Sequence, residues 1–257
     1  MDYSLLKKIF LLVVVAFVFA ACKSAVVATT EKTTIISYRL QPIDSRFDNQ
    51  SDSATSAILA HYKPQMDALM NEVIGNSAEE MASPKGWDSS ICHFTTNALL
   101  EIAESLQFNA DFSLYNIGGI RTGMPKGDIR IYDIFSIFPF DNDITIISIE
   151  GKYICQLMEG FAQRKPEPMG NVNIIFAQGN LKSMTIGNNE LDDTKIYRIV
   201  TNNFVAEGGD RMEVLRNAQS VERTGILIRD AMTDYIKKLT DEGKSITAIN
   251  NCQIVYE

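Results

Sequence analysis

Asn116-Ile117-Gly118-Gly119-Ile120-Arg121, Pro139-Phe140-Asp141-Asn142 and Asn203-Phe204-Val205-Ala206-Glu207-Gly208-Gly209-Asp210 are three short stretches that fit neither a helical nor a strand period. The first follows an apolar strand pattern, the second ends an aromatic helical pattern, and the third leaves another strand pattern. Paired glycines allow positive φ and let a ligand approach the backbone closely. A phenylalanine at a loop end, outside any periodic stripe, can stack on a planar ring, and a nearby Asp can accept hydrogen bonds from sugar hydroxyls. Taken one at a time, each stretch also reads as a structured turn.

Outward from these loops the pattern is mixed. Residues 33–40 are β-branched and predict a strand, and a polar loop follows over 41–53. Apolar residues at Ile58, Leu59, Tyr62, Met66, Leu69, Met70, Val73 and Ile74 recur at helical spacing and predict a helix over 54–74, kinked or split at Pro64. A second amphipathic helix is predicted over 94–106, and a strand over 111–115. The glycine-rich turn 116–127 leads to the short aromatic helix that ends at Pro139, then to a strand over 144–149 and a helix over 152–162. Strands are predicted at 172–177, 181–186 and 196–200, with a turn at Asn188-Asn189 and a loop over 202–210. A last helix over 222–239 and a strand over 246–256 finish the chain. Helices and strands mix without a βαβα repeat, which indicates an α+β or layered α/β domain.

Composition agrees with an ordinary folded protein: 257 residues, 46% hydrophobic, 22% charged, formal net charge −8. These values exclude disorder, collagen-like sequence and a polytopic membrane protein. With 32 acidic against 24 basic side chains and no Lys/Arg run longer than two, a nucleic-acid polymer is not the expected partner.

Residues 1–21 stand apart. Lys7 and Lys8 precede an unbroken apolar run over 9–19, then two alanines and Cys22. This is the pattern of a secretory signal peptide, too short for the roughly twenty apolar residues of a membrane-spanning helix. The small-small-Cys ending resembles the lipobox of bacterial lipoproteins, with Phe19 where that pattern usually has leucine. The resemblance implies cleavage before Cys22 and its acylation, a tether over 22–32, a folded domain over 33–257, and export to the outer membrane on its periplasmic side, Lys23 in place of Asp being the sorting cue.

Cys92, Cys155 and Cys252 are too far apart for a Cys-x-x-Cys metal or redox pair; one disulfide with an odd thiol and three buried thiols both remain open. His61 and His93 are the only histidines, and both read as surface or capping residues. No Gly-x-Ser-x-Gly elbow surrounds Ser89 or Ser90, and Gly118-Gly119 lacks the Gly-Lys-Ser/Thr ending of a phosphate loop.

Together and in this order, the three loops resemble the C-terminal, substrate-binding domain of 5'-nucleotidases, over about residues 85–210 and more weakly over 33–257. The resemblance implies a four-layer α/β/β/α fold of the α+β class. It also implies a site in which Phe140 and Phe204 sandwich a nucleobase and Asn116 and Asn142 face the substrate. Asp210 would take the ribose hydroxyls, Arg121 the phosphate, and Gly170 would lie near the nucleoside. Family members tend to read Arg-x-x-Glu-Ser-x-Leu-Gly-Asn-x-x-x-Asp upstream. Here Lys85, Asp88, Cys92, His93 and Asn97 stand at the Arg, Glu, Gly, Asn and Asp positions, and a lysine loses the bidentate geometry of arginine toward phosphate.

Complete enzymes of the family carry a metallophosphoesterase domain with two metal ions that activate water. No Asp-x-His, Gly-Asn-His or Gly-His-x-His motif occurs in this sequence. The resemblance therefore implies a chain with no catalytic or metal-ligating residues and no cofactor of its own. It would bind a nucleoside or nucleoside monophosphate and take part in nucleotide hydrolysis with a separate metallophosphoesterase chain carrying the divalent pair. The alternative is a non-catalytic nucleoside-binding lipoprotein for uptake or sensing.

Overall fold

Residues 143–150, Asp-Ile-Thr-Ile-Ile-Ser-Ile-Glu, lie near the middle of the main sheet. Ile144 and Ile146 enter one hydrophobic core, and Ile147 and Ile149 enter another on the opposite face. A strand with both faces covered needs apolar residues at both parities, which is why this run is nearly continuously apolar.

The computed structural model describes Leu40, Asp44, Ser45 and residues 52–257. The expected signal peptide, Cys22, the tether and the strand at 33–40, Leu40 excepted, lie outside the described residues. One compact unit covers Ser53–Glu257. Its order is α1 (Ser53–Met70), β1 (Val73–Ser77), α2 (Ser90–Ser105), β2 (Phe112–Leu114), β3 (Gly127–Arg130), α3 (Ile131–Ile137), β4 (Asp143–Glu150), α4 (Gly151–Ala162) and β5 (Met169–Gly170). There follow β6 (Val172–Ala177), β7 (Asn180–Ile186), β8 (Asn189–Glu190), β9 (Ile196–Asn202), α5 (Asn203–Ala206), β10 (Ser220–Leu227), α6 (Ile228–Asp241) and β11 (Cys252–Tyr256).

The main sheet has the order β10-β4-β9-β2-β5, a second sheet the order β11-β6-β7-β8, and β1 pairs with β3. Helices α2, α3 and α6 contribute to the core on one face of the main sheet. On its other face the core is shared with the second sheet and α4, which packs on both β7 and β4. This is the expected α+β class with α/β/β/α layering. Each fully buried Ile, Leu or Phe in these cores contributes roughly 1.5–3 kcal/mol of transfer free energy.

Register places the three glycine- and phenylalanine-bearing loops together. Strands β2 and β9 run parallel, so their C-terminal ends share an edge of the sheet. Strand β4 is antiparallel to β9 with Ile144 opposite Asn202, so its N-terminal end reaches the same edge. The loops after β2, before β4 and after β9 therefore converge.

Four expectations are corrected. The helix predicted over 54–74 runs unbroken through Pro64 but stops at Met70, and Val73 and Ile74 belong to β1. It buries none of its residues, so the carbonyl that Pro64 leaves unbonded can be solvated, and Ile58, Leu59, Tyr62, Met66 and Leu69 stay exposed. The helix predicted from 222 begins at Ile228; residues 220–227 form strand β10 on the free edge of β4, where Gly225 at φ +72° sits in an irregularity of the pairing. The final strand shortens to β11, parallel to β6. His93, expected as a surface or capping residue, is buried in the first turn of α2, its Nε2 2.9 Å from Asp88 Oδ1.

The thiols of Cys92, Cys155 and Cys252 are free. Burial pushes Cys92 and Cys252 up to about 12. No helix among the described residues is long and apolar enough to cross a membrane.

Candidate functional site

The chain leaves β2 through Tyr115, fully buried, and Asn116, which begins a single 3-10 turn at Ile117–Gly119. A Cβ at Gly119 would come within 2.8 Å of both Asn116 Oδ1 and the Tyr115 ring, so glycine is required for the turn to close on these side chains. Arg121 N–H then donates to Ile137 O at 2.9 Å, joining this loop to the end of α3.

Beyond α3, Phe138 is buried, whereas Phe140 is 46% exposed. The segment is held from behind: Ile228 N–H donates to Asn142 O at 2.9 Å, and Asp143 N–H donates to Asn203 Oδ1 at 3.0 Å. The second of these bonds fixes the Phe140 loop to the helix that carries Phe204.

The loop expected over 202–210 contains a short helix. Asn202 caps α5, its Oδ1 accepting from Val205 N–H at 2.8 Å, and this turn presents Phe204, 42% exposed. Gly208 at φ +86° reverses the chain, and Asp210 and Arg211 follow at φ +51° and +64°. Left-handed backbone at a non-glycine residue costs of order 1–3 kcal/mol and concentrates at functional positions. Asp210 is held there by Asn116, whose Nδ2 donates to Asp210 Oδ2 at 2.7 Å. Asn116 Oδ1 in turn accepts from Asn202 Nδ2 at 3.0 Å.

These side chains enclose a cavity of about 280 Å³ lined by Asn116, Gly118, Gly119, Phe140, Asn142, Phe204 and Asp210. Of the residues singled out in the sequence, Asn116, Phe140, Asn142, Phe204 and Asp210 meet here. Arg121 stands at the margin, its guanidinium carbon 6.0 Å from the Phe140 ring centroid. Lys85 lies on an exposed loop before α2, outside the lining. Gly170 is buried in β5 opposite Ser113, where a Cβ would come within 2.7 Å of Ser113 Oγ; its missing side chain serves sheet packing.

Three contributors were not legible in the sequence. Asn202 and Asn203 end a strand and look like turn formers, although one orients Asn116 and the other ties two loops together. Glu167 carries no motif; its Oε2 accepts from Ile117 N–H at 2.7 Å beneath the 3-10 turn. Burial raises Glu167 above the usual carboxylate range, with repulsion from Asp210 in the same direction, against the Ile117 N–H bond and Arg164.

The cavity offers two aromatic faces, amide donors and acceptors, and one carboxylate on an otherwise apolar lining, a donor set suited to a planar heterocycle joined to a hydroxylated group. The described residues include no group of three or more His, Cys, Asp or Glu that could hold a metal ion.

The model of the 5'-nucleotidase, C-terminal domain, matches residues 73–217. Protein UshA of Escherichia coli (strain K12) is 30% identical over 145 residues, covering 54% of this chain and 26% of that protein. A 5'-nucleotidase of Vibrio cholerae serotype O1 is 23% identical over 223 residues, covering 79% of this chain and 40% of its own length. The crystal structure of a 5'-nucleotidase precursor from Thermus thermophilus is similar with a TM-score of 0.66 at 26% identity, covering 79% of this chain and 43% of that one. The chain thus spans well under half the length of these relatives.

Proposed function

Because this chain belongs to the 5'-nucleotidase C-terminal domain family, we propose that its loop-edge cavity binds a nucleoside or nucleoside monophosphate, and that the chain takes part in nucleotide hydrolysis with a separate metallophosphoesterase chain. The observation that carries this reading is the convergence of Phe140, Phe204 and the amide-held Asp210 on one cavity. In this reading the base stacks against Phe140 and Phe204, each contact contributing roughly 1–3 kcal/mol. Asn142 meets the edge of the base, and Asp210, aimed by Asn116, accepts from the ribose hydroxyls. Arg121, at the rim, meets a 5'-phosphate through its planar fork of donors.

The metal pair that activates water would belong to the partner chain, and this chain's share of the reaction is to bind and orient the substrate. Calorimetric titration of the full chain with adenosine and with AMP tests the binding; micromolar affinity for either supports it, and no heat from either removes it. A metallophosphoesterase partner that stays inactive on AMP while this chain binds AMP normally would remove the shared hydrolysis.

One observation favours the second reading, a nucleoside-binding protein without chemistry: Lys85 lies outside the cavity lining, Arg121 stands only at its margin, and no cation is among the lining residues. Tighter binding of adenosine than of AMP supports that reading, and the reverse supports the shared enzyme. Export and acylation at Cys22 to an outer-membrane anchor complete the proposal; mass spectrometry of the mature N-terminus checks both.

A further inference from the structure

Past Asp210 the walls change character. A second cavity, of about 320 Å³, is lined by Arg164, Lys165, Glu167, Asp210 and Arg211, so Asp210 borders both cavities. In a chain with 32 acidic and 24 basic side chains, three cations converge on this one hollow. Arg164 is fixed: its Nη2 donates to Arg211 O at 3.3 Å, its Nη1 lies 3.8 Å from Glu167 Oε1, and its guanidinium sits 4.8 Å over the Phe161 ring. Among the described residues, neither Lys165 nor Arg211 makes an ion pair with a carboxylate. The paired left-handed residues explain the geometry, since the turn that carries Asp210 along the first cavity carries Arg211 into the lining of the second.

We propose that the second cavity is an anion subsite for a phosphate esterified to the 2' or 3' oxygen of a ribose held at Asp210, so that the ligands include mononucleotides phosphorylated on that side of the sugar. This rests on the nucleoside reading of the first cavity. If Asp210 accepts from the ribose hydroxyls, the 2' and 3' oxygens are the ligand atoms that border the second cavity. A phosphate on either meets Lys165 and Arg211, whose unpaired donors form charge-assisted bonds to its oxygens. Glu167 and Asp210 are the opposing carboxylates; Glu167 is engaged by Arg164 and the Ile117 N–H, and Asp210 by Asn116 Nδ2, and the three cations of the lining outnumber them.

The test is calorimetric titration of the full chain with adenosine, 5'-AMP, 2'-AMP and 3'-AMP, repeated on Lys165→Gln, Arg211→Asn and the double variant. Asn is chosen at 211 because it tolerates left-handed backbone. The expected result is that 2'-AMP or 3'-AMP binds at least about tenfold more tightly than adenosine, and that the double variant loses this gain while its adenosine affinity is kept. Binding of adenosine with no gain for either isomer overturns the subsite and leaves the nucleoside reading standing; no binding of any ligand overturns both. A gain that persists in the double variant also overturns the assignment. Lys165→Gln, a change at an exposed side chain, repeats the test should substitution at 211 disturb the fold.

Discussion

Asn116 Nδ2 and Asp210 Oδ2 lie 2.7 Å apart although 94 positions separate the two residues, and this bond is the middle of a relay that begins in the sheet. Asn202, fully buried at the end of β9, donates to Asn116, which donates to Asp210. The carboxylate that borders both cavities is thus aimed by strand ends rather than by its own loop. Asn202→Ala would remove both the α5 cap and the partner of a buried Asn116 oxygen. We expect a stability loss of about 1–3 kcal/mol by urea denaturation and, in the protein that remains folded, weaker nucleoside binding. Normal affinity in a folded Asn202→Ala variant would show that the relay does not position Asp210.

The two phenylalanines are the most direct test of the stacking model. Phe140→Ala and Phe204→Ala should each weaken adenosine binding by at least about tenfold, from the lower end of the stacking range. Gly209→Ala should reproduce the Phe204 defect without touching that ring's chemistry, because a Cβ at position 209 would run into the Phe204 ring. Unchanged calorimetric affinity in both phenylalanine variants removes the sandwich.

The site was legible in the sequence to the extent that its residues break periodicity. Glycine pairs and phenylalanines at loop ends stand out against alternating strands, and all seven residues that line the cavity come from the three stretches so marked. The supporting residues were hidden: Asn202 and Asn203 look like a turn, and their roles depend on β4 and β2 lying on either side of β9. Tertiary pairing also overrode local pattern over 220–227, where Val221, Ile226 and Leu227 continue the helical spacing of α6 but the free edge of β4 captures the segment as β10. Along α1 the same spacing predicted a helix correctly, yet the helix buries none of its residues, because periodicity reports an apolar stripe and not what covers it.

Asp143 and Arg223 hold the base of the Phe140 loop. Asp143 is 5% exposed; Arg223 donates to its Oδ2 through Nε and Nη2, each at 2.9 Å, and Thr145 Oγ1 donates to its Oδ1. Arg223→Ala would leave a buried carboxylate short of its cation. The expected loss is about 2–3 kcal/mol, below the roughly 3–5 of a wholly buried pair because the Arg223 side chain is half exposed to solvent. Asp143→Asn combined with Arg223→Ala should recover part of that loss, as the stranded charge is gone; a double variant no more stable than the single one would place the effect elsewhere.

Glu167 gives the fold a pH dependence of defined sign. Burial raises its pKa above the ordinary carboxylate value, so the folded chain holds this proton more tightly than the unfolded chain does. The native state is therefore favoured on the acid side of this titration. Stability contributed here falls as pH rises from about 4, where an unfolded glutamate titrates, through the raised folded value, and is level above it. Glu167→Gln keeps an oxygen for the Ile117 N–H and removes the titration. Urea midpoints measured at a series of pH values should show the variant gaining on the parent across that window and holding a constant lead above it. A difference that does not change with pH would mean that Glu167 titrates alike in the folded and unfolded chains, with Arg164 and the Ile117 N–H offsetting burial.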